Sequence, residues 1–222
     1  MRYHIDTFDN HLILLHQENK FMVDTGSPVS ISGGSEINVF GQGYEVSQHY
    51  LGFTIEELSK AIGCNLHTLI GGDILKNHKF HVDFENKQFS ILESLSCEEL
   101  EGVNIDLYMD IPIIEIGLGQ DTIRGFLDTG AKISYLNSQY VDTLKPIDDR
   151  EDFYPNFGRF NTLIYELPIK FNNKEVCLTF GVLPKTLEVA LSMGGTKAIV
   201  GNEIFSYFSL IFDYSNKKIY FK

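Results

Sequence analysis

The chain has 222 residues, 43% apolar and 13% aromatic, enough for one large core or two small ones, and this excludes a disordered or fibrous protein. A formal net charge of -12 argues against a nucleic-acid partner, because a phosphate backbone would be repelled over most of the surface. No segment is long and apolar enough to span a bilayer, and Met1 to Asp6 lacks the apolar core of a secretion signal, so no membrane partner is expected.

In chain order, His11 to Leu15 and Lys20 to Val23 predict a hairpin that ends at Asp24-Thr25-Gly26-Ser27. Val39 to Val46 is compatible with a short hairpin. Thr54-Ile55-Glu56-Glu57 is a capping box that opens an amphipathic helix, with Ile55, Leu58, Ala61 and Ile62 on one face and Gly63 as its stop. Leu69-Ile70-Gly71 predicts a buried strand, and residues 81–89 a hairpin turning at Asn86-Lys87, where asparagine tolerates the left-handed conformation. The acidic stretch near Ser94 to Asn104 has no periodicity and marks a boundary, placed between residues 97 and 98.

Beyond it, Ile111 to Ile116 and Thr122 to Leu127 predict a second hairpin, delivering Asp128-Thr129-Gly130-Ala131. A short helix is expected from Ser138 to Lys145, before Pro146. Strands follow at Leu163 to Phe171 and Glu175 to Val182. Then come Ile199-Val200-Gly201 and a hairpin turning at Asn216-Lys217. The reading is mainly β.

The two halves match each other. Residues 21–27 align with 125–131, residues 69–75 with 199–205, and residues 81–89 with 211–219. Asp83 and Asp213 belong to the turns of the last pair and are read as turn residues, not catalysts.

Hydrolysis of a peptide bond without a metal requires a water made nucleophilic and a carbonyl oxygen protonated as it gains charge. Two adjacent carboxylates supply both functions. Held close, they share one proton: the ionised member takes a proton from water while the protonated one polarises the carbonyl. Asp24 and Asp128 are the candidates. Gly26 and Gly130 permit the sharp turn, Thr25 and Thr129 can bond across an interface, and Gly71 and Gly201 allow close backbone approach beneath each loop.

With both Asp-Thr-Gly loops followed by two apolar residues and a glycine, the chain resembles the pepsin and retropepsin superfamily of aspartic peptidases over nearly its whole length. The resemblance implies a mainly β, bilobal fold with pseudo-twofold symmetry and an active site between lobes, here a compact pair of fused retropepsin-like lobes. It implies an aspartic endopeptidase acting as a monomer on a peptide or protein substrate, without cofactor or metal. A module that kept the fold but lost turnover is the alternative. A duplicated actin-like ATPase is disfavoured by the chain's length and by Ala131, where a hydroxyl would be wanted.

The halves are not identical. Asp128 to Gly201 is the longer interval, and residues 152–160 occupy the place of a flap, with Tyr154, Phe157 and Gly158 as candidate substrate contacts; packed core aromatics are the competing reading. The first lobe's flap is expected to be reduced or absent. Ser27 against Ala131 suggests that a serine hydroxyl keeps Asp24 the more readily ionised of the pair. Cys64, Cys97 and Cys177, odd in number and widely spaced, are expected to be buried reduced thiols in a cytoplasmic protein. The seven histidines show no metal-ligand spacing, and no inhibitory prosegment is expected before Asp24.

Overall fold

A computed structural model describes residues 1–16, 18–93, 100–155 and 157–222. Cys97, the expected boundary between residues 97 and 98, and Asn156 of the expected flap tip lie outside the described residues. The chain is mainly β, 51% strand against 13% helix, and the helices are short, which is the fold class expected from the sequence.

The first half contains β1 (Arg2–Phe8), β2 (His11–His16), β3 (Asn19–Val23), β4 (Ile31–Ser32), β5 (Glu36–Val39) and β6 (Gln42–Glu45). Then come α1 (Ile55–Ile62), β7 (Thr68–Ile70), α2 (Gly72–Leu75), β8 (Lys79–Asp83) and β9 (Gln88–Leu92). The second half contains β10 (Gly102–Asn104), β11 (Asp106–Tyr108), β12 (Ile111–Leu118), β13 (Asp121–Leu127), β14 (Ser134–Leu136), β15 (Asp148–Tyr154), β16 (Gly158–Phe171) and β17 (Lys174–Val182). It closes with α3 (Lys185–Met193), β18 (Ala198–Val200), β19 (Leu210–Asp213) and β20 (Lys218–Phe221).

Among the described residues the strands form one ten-stranded sheet, ordered β10-β20-β19-β8-β9-β1-β2-β3-β7-β4, and one eight-stranded sheet, ordered β11-β12-β13-β18-β14-β17-β16-β15. Strands from both halves share the larger sheet, through antiparallel β8 and β19 with Lys79 opposite Asp213. The pairing behind the two Asp-Thr-Gly loops has the same register in each half. Phe21 to Val23 run parallel to Thr68 to Ile70, as Gly125 to Leu127 run parallel to Ala198 to Val200. Ile31 opposes Leu69 as Tyr135 opposes Ile199.

Alternating apolar residues place a large core between the sheets. Phe80 is its centre, stacked on Phe212 at 4.6 Å and on Phe89 at 5.2 Å between ring centroids. Two smaller clusters lie under the helices. Ile13, Met22, Ile31 and Leu69 pack beneath Ile55 and Leu58 of α1, while Ile133, Tyr135, Ile164 and Ile199 pack with Leu191 of α3.

Helix α1 starts and stops where its sequence signals place it. The Thr54 hydroxyl accepts from the Glu57 amide (3.2 Å), the Glu57 carboxylate accepts from the Thr54 amide (2.9 Å), and Gly63 ends the helix at φ 81°.

Several expectations are corrected. The helix from Ser138 to Lys145 is a single 3-10 turn, Ser138–Tyr140, whose first amide is held by Glu188 of α3. In the paired hairpin turns the left-handed residues are Lys87 (φ 50°) and Lys217 (φ 49°), not the asparagines. Asn86 and Asn216 instead donate backbone and side-chain N–H groups to Asp83 and Asp213, which are turn residues as read. Cys64 is buried, but Cys177 is exposed, since it points outward from β17 between the inward-facing Val176 and Leu178.

Candidate active site

Each half delivers its aspartate in the same way. The Asp24 amide donates to Ile70 O and the Asp128 amide to Val200 O, both at 2.9 Å, so each loop leaves its strand across the parallel neighbour. Behind the loops the chain passes at glycine. A Cβ at Gly71 would lie 2.7 Å from Ser27 O, and one at Gly201 would lie 2.5 Å from Ala131 O, distances that real side chains do not tolerate. The amides that follow bind those same carbonyls, Gly72 to Ser27 (2.7 Å) and Asn202 to Ala131 (3.1 Å).

Thr25 and Thr129, both fully buried, lock the loops together. The Thr25 amide donates to Thr129 Oγ1 and the Thr129 amide to Thr25 Oγ1, each at 2.9 Å. Each hydroxyl then donates across the interface, Thr25 to Leu127 O (2.6 Å) and Thr129 to Val23 O (2.8 Å). Both amides and both hydroxyls of the pair are satisfied, as burial requires.

This grip brings the carboxyl groups of Asp24 and Asp128 into hydrogen bonding with each other. Each sits over the glycine of the opposite loop: a Cβ at Gly26 would overlap the Asp128 carboxyl, and one at Gly130 the Asp24 carboxyl. Asp24 accepts from the Gly26 amide (2.9 Å), and Asp128 from those of Gly130 (2.8 Å) and Ala131 (3.1 Å).

Burial, and then the negative charge of Asp128, hold the Asp24 carboxyl well above the usual carboxylate value. Burial raises Asp128 as well, but the backbone donors at its own loop and the proton shared from Asp24 oppose it. Both carboxyls thus stand above the ordinary value as one coupled pair, and the hydroxyl donation expected from Ser27 to Asp24 is not made. The Ser27 hydroxyl is committed elsewhere, donating to Val29 O at 2.8 Å.

The dyad lies on the floor of a cleft with a cavity volume of about 300 Å³. Strands β15 and β16 form a hairpin over it, with Tyr154 opposite Gly158 at the tip. Tyr154 lines the cleft, and its hydroxyl is pushed up by burial and then by the charges of Asp128 and Asp24. Phe157 is exposed and packs edge-on against Phe160 at 5.6 Å, while Gly158 takes φ 89° to make the turn. Phe153 and Pro155 line the cleft instead.

Sequence reading missed other contributors. The β5–β6 hairpin does form, but Phe40 packs on Tyr3, His78 and Phe89. The first half reaches the cleft through a tight turn at Tyr50-Leu51-Gly52-Phe53, closed by reciprocal 2.9 Å bonds between Tyr50 and Phe53. Leu51 (φ 49°) and Gly52 (φ 80°) are left-handed there; only the glycine was a sequence cue. Phe53 meets Phe153 edge-to-face at 5.4 Å, so elements from both halves touch above the dyad.

His11, also missed, donates from Nδ1 to the Gly130 carbonyl at 2.9 Å, and burial lowers its basicity. Ser30 and Ser134, each six residues past its aspartate, accept the amides of Gly71 (2.8 Å) and Gly201 (3.0 Å); that equal spacing was readable. Among the described residues no group of three or more His, Cys, Asp or Glu side chains is placed to hold a metal ion.

No protein-family model matches the chain, and no curated protein matches it. Among solved structures, the solution structure of Simian Foamy Virus (mac) protease is similar to it over 43% of this chain and 92% of that one, at 14% identity and a TM-score of 0.33.

Proposed function

We propose that the chain is an aspartic endopeptidase of the pepsin and retropepsin kind, hydrolysing peptide bonds with a water activated by Asp24 and Asp128. The observation that supports it most directly is the reciprocal seating of each carboxyl over the opposite loop's glycine, fixed by the exchanged Thr25 and Thr129 bonds. Such a dyad carries one proton between two acids.

In this reading the ionised member of the Asp24 and Asp128 pair takes a proton from water as it attacks the scissile carbonyl, and the protonated member donates to the carbonyl oxygen. The tetrahedral species collapses when the acid holding the water's proton passes it to the leaving amine nitrogen, the C–N bond breaks, and the other carboxylate regains its proton from the hydroxyl of the intermediate. Tyr154 and Tyr50 cover the reacting bond and exclude bulk water, which strengthens the interactions beneath them. The halves act as two lobes, residues 1–97 and 98–222, descended from one duplicated unit, with the flap supplied by the second.

Incubation with a diverse peptide mixture, read by mass spectrometry, tests the proposal. Wild type is expected to generate new termini that Asp24→Asn and Asp128→Asn do not. Identical product profiles from all three proteins would defeat it.

A further inference from the structure

Two cavities meet at the carboxyl groups, one lined by Asp24 and Asp128 and the other by Asp24, and their far ends differ in lining. Building on the peptidase reading, we propose that the residues flanking the cleaved bond must differ: a bulky apolar residue seats against α3, and a polar residue seats against the C-terminal end of α1.

The pockets occupy equivalent places. Met22, Ile31 and Leu69 in the first half hold the register positions of Phe126, Tyr135 and Ile199 in the second. In the first half these residues are 3%, 1% and 3% exposed and are packed beneath Ile55 and Leu58, so that Met22 and Leu58 border the neighbouring cavity with little exposed surface. In the second half the cover is incomplete. Phe126 and Leu187 are only partly buried, and with Tyr135, Leu191 and Ile199 they form an apolar wall of the 300 Å³ cavity.

On the other side, a cavity of about 230 Å³ runs past Asp24 beneath the hairpin and along α1. Asp9, Lys60 and Arg159 line this cavity and not the first, His11, Lys132 and Asp152 border both, and Met22, Leu58, Ala61 and Ile62 lie beside them. Lys132 pairs with Asp9 at 2.9 Å and lies 3.7 Å from Asp152; Arg159 pairs with Glu151 at 2.5 Å and reaches Ala61 O at 3.4 Å. An apolar side chain placed here would strip water from these groups and replace none of their hydrogen bonds, whereas a polar one replaces them. The rejection is of the kind produced by a site built for hydrogen bonding.

The test is cleavage of peptides randomised on both sides of one bond, with products sequenced by mass spectrometry. The expected pattern is a large apolar residue on one side and a polar residue on the other, favoured over apolar on both sides by about tenfold or more. Replacing Lys60 and Arg159 together by leucine is expected to reduce that discrimination about tenfold, while Leu187→Asn weakens selection only on the apolar side. Equal cleavage of peptides apolar on both sides overturns the pocket assignment and leaves the peptidase reading standing. Absence of all cleavage removes the peptidase reading. Calorimetric titration of the uncleaved peptides then decides the pockets, and equal affinity, or none, for the mixed and the doubly apolar peptide overturns them.

Discussion

Thr25 and Thr129 are the same residue used twice, each hydroxyl accepting the other's amide at 2.9 Å and passing its own proton to a carbonyl of the opposite half. Thr25→Val keeps the shape but strands the Thr129 amide and the Leu127 carbonyl in a dry interior. Each unpaired group costs about 1 to 3 kcal/mol, so urea unfolding should show a loss of several kcal/mol. Thr25→Ser retains the bonds and should cost only about 1 kcal/mol for the missing methyl.

Gly26→Ala and Gly130→Ala test the seating of the carboxyl groups. The new methyl overlaps the acid of the opposite loop, so that acid must move by a fraction of its own length. Peptide cleavage should fall by about a hundredfold, the usual result of displacing a reacting group by an ångström. The unfolding midpoint should move much less.

The dyad also sets a pH dependence of stability. Asp24 and Asp128 bind protons more tightly when folded than at the ordinary carboxylate value of 3.8. Over that window the folded state holds protons that the unfolded chain has released, so stability falls as pH rises, and below it the slope vanishes. Asp24→Asn removes one member of the pair and with it the mutual repulsion. Denaturant titrations from about pH 3.5 to about pH 7 should show the variant matching wild type at the acid end and exceeding it at the neutral end.

Asp213 behaves in the opposite sense. Burial pushes its carboxyl up, but the Lys79 ammonium at 2.6 Å and the donors of Ser215 and Asn216 outweigh this and hold it at about 2. Its contribution is complete above 3.8 and is lost as pH falls through about 2. Asp213→Asn should therefore destabilise by about 1 to 2 kcal/mol at neutral pH, with the difference closing in acid.

Phe53 and Phe153 form the ring contact between the two elements above the cleft. Such a pair contributes about 0.5 to 1.5 kcal/mol. Either alanine variant should raise KM several-fold with little change in kcat, and the double variant should be no worse than the more damaging single one.

The parts of the fold legible in the sequence were those that need a particular residue. Asp24-Thr25-Gly26 and its second copy, the Thr54 to Glu57 capping box and the Gly63 stop each perform a local task that few residue types can do. Helix α3 was not legible, because Pro184 offers no side-chain cap. Tyr50 was hidden because Leu51 adopts a left-handed turn that leucine does not announce. His11 could not be linked to Gly130 at all, since 119 positions separate them and only the sheet brings them together. The Ser27 inference failed for a related reason: sequence shows that a hydroxyl is near a carboxylate, not that Val29 O has claimed its proton.

The order of strands in the larger sheet also governs when it can be finished. β8 has β9 on one side and β19 on the other, with β20 and β10 stacked beyond. A nascent chain that has emerged only as far as Tyr207 therefore carries both Asp-Thr-Gly loops but leaves the outer edge of β8 unpaired and Phe80 without Phe212. Until Leu210 to Asp213 arrive, that edge is a template for any extended chain nearby. Synthesis and correct assembly are thus tied to a segment remote from the two Asp-Thr-Gly loops, and a stop codon before residue 210 would yield an aggregate instead of a folded chain.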